Sequence, residues 1–468
     1  MQRPPNVLFL MSDEHRADAA GFAGNPVVRT PTLDALAAGG VTFTSAYTPS
    51  PICIPARQCM AAGQLPRTCG VERFGQDLPP FSMTFARRFA QHAYDTVCCG
   101  KLHHVGLDQM QGWTSRIGSG LHVHGDHIPG FRADLARQFS GGGDGKWSDA
   151  KEIQRAGVGV HPSDDAYTLD GALRFIEQRF SNPYYDRLGT GRPLLLKVSF
   201  SRPHYPYFCS HDRFTYYLHR VQPFLDEPVF DHPFLGSRRV TPGVDVTQHE
   251  IRRATAAYYG MIEEMDADFG RLLDALRHHG QDPDDWLILY TSDHGEMLGE
   301  HGVWEKQKFF EASAKVPLVV RPPRRQLQQW GGPAGRRVTQ NVNLCDLFAT
   351  LCDLCDVPPP DRADTVNAAG LDSRSLVPLM RGDTAAWTRD HHDETVSQFG
   401  GTNLMIKRGP LKYQLYSRPD CAAPEHREVL FDLDADPTER TNLTPDPRYQ
   451  DVLPAFRARA RELHFSTP

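Results

Sequence analysis

The chain alternates short apolar, β-branched runs with longer stretches in which apolar positions recur every three to four residues. The runs are residues 7–11, 41–47, 94–99, 194–200, 286–291 and 316–321. Residues 32–38, 83–92, 165–180 and 248–279 carry the helical period, the first closed by Gly39-Gly40 and the last by Gly280. Such runs read as candidate strands. Their alternation with helices predicts an α/β fold: a large, mixed but mostly parallel sheet sandwiched by helices. Near residue 395 the pattern changes. Strand-like pieces at 402–407, 411–416 and 428–433 and a closing helix over 445–463 predict a smaller α+β region. The expected division is a large domain over residues 1–370 and a C-terminal subdomain over 371–468. Glycine- and proline-rich stretches at 141–145, 321–337 and 357–370 predict surface loops.

Composition narrows the picture. Apolar residues make up 40% and charged residues 23% of the 468, which is ordinary for a globular chain. The net charge of −6 argues against a nucleic-acid partner, which would require a basic face. No apolar run approaches the length of a membrane span. The opening Met1-Gln2-Arg3-Pro4-Pro5-Asn6 leads into an apolar run too short, and too soon followed by Asp13, for a secretory signal. Read as the full precursor, the chain is expected to be cytoplasmic, with its ten cysteines mostly reduced. Cys98-Cys99 fall in an apolar run. Cys352 and Cys355 form C-x-x-C in a helical stretch. Both pairs read as buried core thiols.

In an open parallel sheet, ligands bind beyond the carboxyl ends of the strands. Asp13 and Glu14 follow the first run, and Lys101, His103 and His104 follow the third. Ser201-Arg202-Pro203-His204 follows the fourth, and Ser292-Asp293-His294-Gly295-Glu296 the fifth. Each group alone has a plain reading, such as an N-cap aspartate or a solvated lysine. Their coincidence with one further stretch outweighs those readings. That stretch is Cys53-Ile54-Pro55-Ala56-Arg57 followed by Gly63, or C-x-P-x-R-x(5)-G. Pro55 and Ala56 open a helix, which puts residue 53 near its N-terminus, where the dipole favours anions.

These features resemble the type I sulfatases of the alkaline-phosphatase superfamily, whose C-x-P-x-R signature marks a cysteine oxidised to formylglycine. Residues 6–13 resemble the family's opening strand with its metal aspartate. Thr30-Pro31-Thr32-Leu33-Asp34-Ala35-Leu36-Ala37 is similar to T-P-N-L-D-x-L-A, Gly100-Lys101-Leu102-His103 to G-K-W-H, and Pro203-His204-Tyr205-Pro206 to P-H-x-P. Residues 292–317, with Asp293-His294-Gly295-Glu296, Gly299-Glu300-His301-Gly302 and Lys306, resemble the second metal motif. Leu430-Phe431-Asp432-Leu433 with Asp436-Pro437 and Asn442-Leu443 resembles the C-terminal signature. The matches cover nearly the whole chain in the family's order.

The resemblance implies an alkaline-phosphatase-like fold and metal-dependent hydrolysis of a small-molecule sulfate ester. Asp13, Asp293 and His294, with an oxygen of residue 53, would bind one divalent cation. Glu14 stands where many members carry a second aspartate. Oxygen ligands favour Ca²⁺ or Mg²⁺, and the imidazole admits Mn²⁺. A separate maturation enzyme would convert Cys53 to the aldehyde. One hydroxyl of the aldehyde hydrate would attack sulfur, the alcohol would leave, and the second hydroxyl would lose its proton and expel sulfate. Arg57 would stabilise the hydrate, while Lys101 and Lys306 would clamp the sulfuryl oxygens. His204 would protonate the leaving oxygen, and His103 would serve the elimination. Asp293-His294 replaces the Asp-Asn of many sulfatases and points to the choline-sulfatase-like and phosphonate-monoester-hydrolase-like branch. Phosphonate monoesters or phosphodiesters are therefore the competing substrates. The non-enzymatic alternative is a sulfatase-like anion-binding protein that never acquires the aldehyde. Analogy with relatives suggests a homo-oligomer.

Two further signals carry less weight. His122-Val123-His124-Gly125-Asp126-His127 fits the H-x-H-x-D-H of dinuclear zinc hydrolases but lacks a preceding buried strand and a second ligand set, so a polar loop is expected. Tyr205, Tyr207, Phe208, Tyr216, Tyr217 and Trp304 could cage a quaternary ammonium, although core packing is the plainer reading.

Overall fold

The computed structural model describes residues 4–118, 145–181, 191–228, 232, 235, 239–332, 334–418 and 425–467. The H-x-H-x-D-H stretch at 122–127 and residues 141–144 of the first expected loop lie outside the described residues.

The strands are β1 (Val7–Asp13), β2 (Val41–Tyr47), β3 (Asp95–Gly100), β4 (Ser115–Ile117), β5 (Gly157–Val158), β6 (Leu194–Pro203), β7 (Phe208–Cys209), β8 (Leu287–Ser292), β9 (Lys315–Arg321), β10 (Arg336–Val338) and β11 (Val342–Asn343). The large sheet has the order β10-β2-β9-β8-β1-β6-β3-β4, and β11 also pairs with β2. Its pairings are parallel except for β9, which runs antiparallel to both β8 and β2. β5 and β7 form a separate parallel ribbon.

In β1 the apolar run is unbroken for a structural reason. Phe9 and Met11 enter a core with Phe85, Phe89 and Phe348, while Leu8 and Leu10 enter the opposite core with Phe200, Phe269 and Trp286. A strand covered on both faces needs apolar residues at every position. The long helix Gln248–His278 covers the second face. It starts at a capping box in which Thr247 and Glu250 satisfy each other's backbone amides. No helix among the described residues is long and apolar enough to cross a membrane.

A four-stranded antiparallel sheet follows: β12 (Glu394–Phe399), β13 (Asn403–Arg408), β14 (Leu411–Arg418) and β15 (Glu425–Asp432). The closing helix Leu453–Glu462 stacks Phe456 on Tyr413, with centroids 5.4 Å apart. Where the two sheets meet, Lys412 pairs with Glu311 at 2.9 Å and Glu439 at 2.8 Å, and the Tyr47 hydroxyl donates to Glu311 at 2.9 Å.

The α/β architecture with a small C-terminal sheet is the one expected, and several details differ. β12 was not expected because its Glu394, Ser397 and Gln398 break the apolar run, yet all three are buried at the seam. The 321–337 stretch contains the helix Arg324–Gln329 and β10 rather than loop alone. The closing helix starts at Leu453, not near 445, because Asp446 caps a separate turn at Pro447–Tyr449. Cys98, Cys352 and Cys355 lie in one core and Cys99 in the other, as packing thiols.

Candidate active site

β8, β1, β6 and β3 are adjacent and parallel, so their carboxyl ends share one edge. The register sets Ser12 beside Ser292, Asp13 beside Pro203 and Gly100 beside Ser199. Asp13, Lys101, His204 and Asp293 therefore leave the sheet at one level.

The cysteine motif folds as the helix Cys53–Ala62, with Ile52 extended before it. Cys53 is its first residue and is buried. The glycine that ends the motif has a steric reason. Gly63 caps the helix at φ 65°, and a Cβ there would lie 2.8 Å from Phe348 Cβ. Arg57, only 2% exposed, lies one turn in. Its Nε donates to Asp293 Oδ2 at 2.7 Å, Nη1 to Lys101 O at 2.8 Å and Ser199 Oγ at 2.9 Å, and Nη2 to Ser12 O and Asp13 Oδ2 at 3.2 Å each. A guanidinium has five N–H donors, and all five are committed. Arg57 thus fastens the helix that carries residue 53 to β1, β3, β6 and β8.

Around Cys53 several atoms able to bind a metal converge, with the thiol as the donor toward Asp13 Oδ1. Cys53 Sγ lies 3.1 Å from His294 Nε2 and 3.6 Å from Asp13 Oδ1. His294 Nδ1 donates to Gly295 O at 3.0 Å, so Nε2 carries the lone pair. That lone pair faces Asp13 Oδ1 and Asp293 Oδ1 at 3.7 Å each. Asp13, Cys53, Asp293 and His294 are all buried, and each offers an atom within 4.8 Å of the others. Asp293 Oδ1 also accepts the Glu14 and His294 amides at 3.1 and 3.0 Å, and the two carboxylate oxygens with a neutral imidazole suit a divalent cation. Burial works against the charge on Asp13, yet Lys101, His204, Arg57 and His294 outweigh it and hold the carboxyl well below its usual range. Burial lowers His294 despite Asp293 and Asp13 and keeps it in its ligand form. Burial, aided by Asp13, pushes the Cys53 thiol up to about 12, so the unmodified side chain is no nucleophile near neutrality.

The remaining charged groups lie beside this cluster. Lys101 Nζ contacts Asp13 Oδ2 at 2.6 Å. Lys306 Nζ donates to Glu14 Oε2 at 2.8 Å and to His204 Nε2 at 2.6 Å, and lies 4.5 Å from the centre of the Tyr205 ring. Glu14 has a left-handed backbone, φ 67°, which turns its carboxylate to Lys306, His204 and Glu296. It is therefore outside the four-residue group, although it forms a second one with Asp13 and His204. Burial pushes Glu14 well up in spite of Lys306. His204 Nδ1 donates to Tyr205 O at 2.6 Å, which leaves Nε2 as its working nitrogen. Burial, then Lys306, holds His204 well below its ordinary value. His103, also left-handed at φ 59°, turns its ring edge-on to Phe74 at 5.7 Å.

A sequence model described as Sulfatase matches residues 5–357, and one described as N-sulphoglucosamine sulphohydrolase, C-terminal, matches residues 299–465. The chain belongs to the sulfatase family. This sulfatase is 31% identical over 465 residues to a choline-sulfatase of Rhizobium meliloti, covering 97% of this chain and 85% of that protein. It is 26% identical to an arylsulfatase of Clostridium perfringens, covering 97% and 93%. Its fold is that of the phosphonate monoester hydrolase of Agrobacterium radiobacter, with TM-score 0.72, 24% identity and coverage of 98% and 95%. Membership places the chain among hydrolases of sulfuric esters.

Some groups of the sulfatase site escaped the sequence reading. Ser199 supports Arg57 from inside an apolar run that also holds Lys197, and a polar residue in such a run was the available signal. Glu296 was quoted within a motif but given no part. It accepts the Leu298 and Glu305 amides at 2.8 and 2.7 Å and so shapes the loop that carries Lys306. Of the six aromatics, Tyr205 is the one that contacts Lys306 and His204 among the described residues. Tyr207 and Trp304 pack with Tyr258 in the core, so the six form no common cage.

Proposed function

We propose that this sulfatase cleaves a small-molecule sulfate ester to an alcohol and inorganic sulfate, using a formylglycine made from Cys53 by a maturation enzyme. The observation that carries the reading is the convergence of Asp13, Asp293, His294 and residue 53, with Lys101 and Lys306 beside them. Asp13, Asp293 and His294 would hold one divalent cation, Ca²⁺ first by its oxygen ligands, then Mg²⁺ or Mn²⁺. When bound, that cation would neutralise charge on residue 53 and polarise the ester. Oxidation of Cys53 would exchange a thiol for an aldehyde, whose hydrate has one hydroxyl to attack sulfur and another to release sulfate.

The chain's own side chains do the rest. Lys101 and Lys306 hold the sulfuryl oxygens, Lys101 beside the Asp13 carboxylate and Lys306 hydrogen-bonded to Glu14. His204 Nε2 carries the lone pair that accepts from the Lys306 ammonium at 2.6 Å, so the proton that the leaving oxygen takes would pass from Lys306 through Nε2. Arg57 fixes residue 53 against four strands. A second reading, hydrolysis of phosphonate monoesters, is favoured by His294 in the metal set and by the likeness in fold to a phosphonate monoester hydrolase.

The test is a side-by-side kcat/KM for an aryl sulfate and an aryl phosphonate monoester. The protein would be co-produced with a maturation enzyme, and mass spectrometry would read residue 53. Preference for the sulfate supports the first reading, and preference for the phosphonate establishes the second. An aldehyde-free protein that binds sulfate without turnover would overturn both.

A further inference from the structure

His204 sits on a turn that is tied from within. Its amide donates to Ser201 O at 3.0 Å, and its ring is anchored on Tyr205 O. Asp165, the first residue of the helix Asp165–Ser181, accepts the Ser201 and Arg202 amides at 2.7 and 3.0 Å. One more bond reaches the turn from a different part of the chain. His161 Nε2 donates to the His204 carbonyl at 2.8 Å, and among the described contacts it is the one that holds this carbonyl.

The chemistry of that bond is settled by its surroundings. The Ser163 amide donates to His161 Nδ1 at 3.3 Å, so Nδ1 accepts and Nε2 carries the proton. The β5–β7 ribbon brings His161 into place, pairing Gly157 with Phe208 and Val158 with Cys209. Its amide bonds, Gly157 to Tyr207 O and Gly159 to Cys209 O, are 3.0 Å each. The ribbon is thus a frame that sets residues 159–163 against residues 204–209. On the other side of His161 opens a cavity of about 560 Å³, lined also by Ser163, Arg202 and Asp268.

We propose that His161 is a positioning residue for the proton donor, an inference that rests on the reading of His204 given above. The peptide that joins His204 to Tyr205 carries the carbonyl held by His161 and leads directly to the carbonyl that anchors the His204 ring. Fixing this peptide fixes the direction in which Nε2 meets the leaving oxygen. Proton transfer depends steeply on that direction, whereas binding of the sulfuryl group by the lysines does not.

The test uses the mature, metal-loaded enzyme and two esters of different leaving-group basicity, phenyl sulfate and 4-nitrophenyl sulfate. A basic leaving group needs its proton, and nitrophenolate needs it far less. His161→Phe is expected to lower kcat/KM about tenfold on phenyl sulfate, as for loss of one orienting hydrogen bond, and less than about twofold on the nitrophenyl ester. His161→Gln, which keeps an N–H donor, should recover most of the loss. His204→Ala should show the same slant, only larger. Equal losses on both esters for His161→Phe, or no loss, with the slant retained in His204→Ala, would overturn the positioning role alone. Absence of the slant in His204→Ala would overturn the reading of His204 and this inference with it. Urea unfolding checks the variants. If His161→Phe does not fold, His161→Ala assayed with and without added imidazole takes its place, since the cavity admits the ring. Rescue confined to phenyl sulfate supports the proposal, and failure of rescue refutes it.

Discussion

The seam between the two sheets and the catalytic edge both bury carboxylates among lysines, but they are arranged in opposite ways. At the seam, opposite charges meet: Lys412 lies between Glu311 and Glu439, and Lys315 reaches Glu311 at 3.4 Å. At the catalytic edge, Asp13 Oδ1, Asp293 Oδ1 and the lone pair of His294 face one another around residue 53. The seam is complete as it stands, and its charges serve cohesion. The edge gathers atoms of four residues that suit a cation around residue 53. Buried charge alone therefore does not mark a site. Ligand atoms converging on one point do.

The comparison breaks most sharply at residue 53. Cys53→Ala should lower kcat by at least roughly 10⁴-fold on sulfate and phosphonate esters alike, because the nucleophile is gone. Full activity in that variant would remove residue 53 from the chemistry. The seam should answer in stability instead. Lys412→Ala leaves Glu311 and Glu439 without their shared ammonium and should cost about 3–5 kcal/mol in urea unfolding, with kcat per folded molecule unchanged. A fall in kcat at unchanged stability would show that the two clusters are coupled. His294→Ala should reduce bound metal, read by elemental analysis, and lower kcat/KM roughly 10²-fold or more, with partial recovery in excess metal. Unchanged metal content would take the imidazole out of the set.

The smallest effect is a pH slope at the seam. Burial lowers Lys407 from 10.5 to about 8, and Glu311 only partly opposes this. Its folded value lies below the unfolded one, so the folded state disfavours the proton. The penalty is full below about pH 8 and fades as pH rises toward 10.5. Stability should therefore gain about 3 kcal/mol from this group across that window. Urea midpoints measured along it should rise, and Lys407→Met should flatten the slope. An unchanged slope in that variant would assign it to another group.

What the sequence revealed was position along the chain. Asp13, Lys101, His204 and Asp293 were legible because each follows an apolar run, and a parallel sheet brings such ends together. The helix at Cys53 was legible from Pro55, and Gly63 now has its reason in φ and in Phe348. Direction was not legible. Glu14 is adjacent to a metal-set aspartate, yet a left-handed backbone turns it to Lys306. The partners of Arg57 on four strands were not legible either. His161 lies 43 residues from the carbonyl it holds, and no local pattern announces such a contact. β12 stayed hidden because its buried residues are polar and find their partners only across the seam.

The antiparallel entry of β9 has a consequence for descent. Because β8 ends at the catalytic edge and antiparallel β9 starts from it, residues 293–314 make a single closed excursion. That excursion carries Asp293, His294, Glu296 and Lys306 together, so one recombination event would exchange them as a block. His204 and Tyr205 sit on another excursion, after β6. A change of residues after β6 can therefore alter the surroundings of the leaving group while leaving the 293–314 block in place.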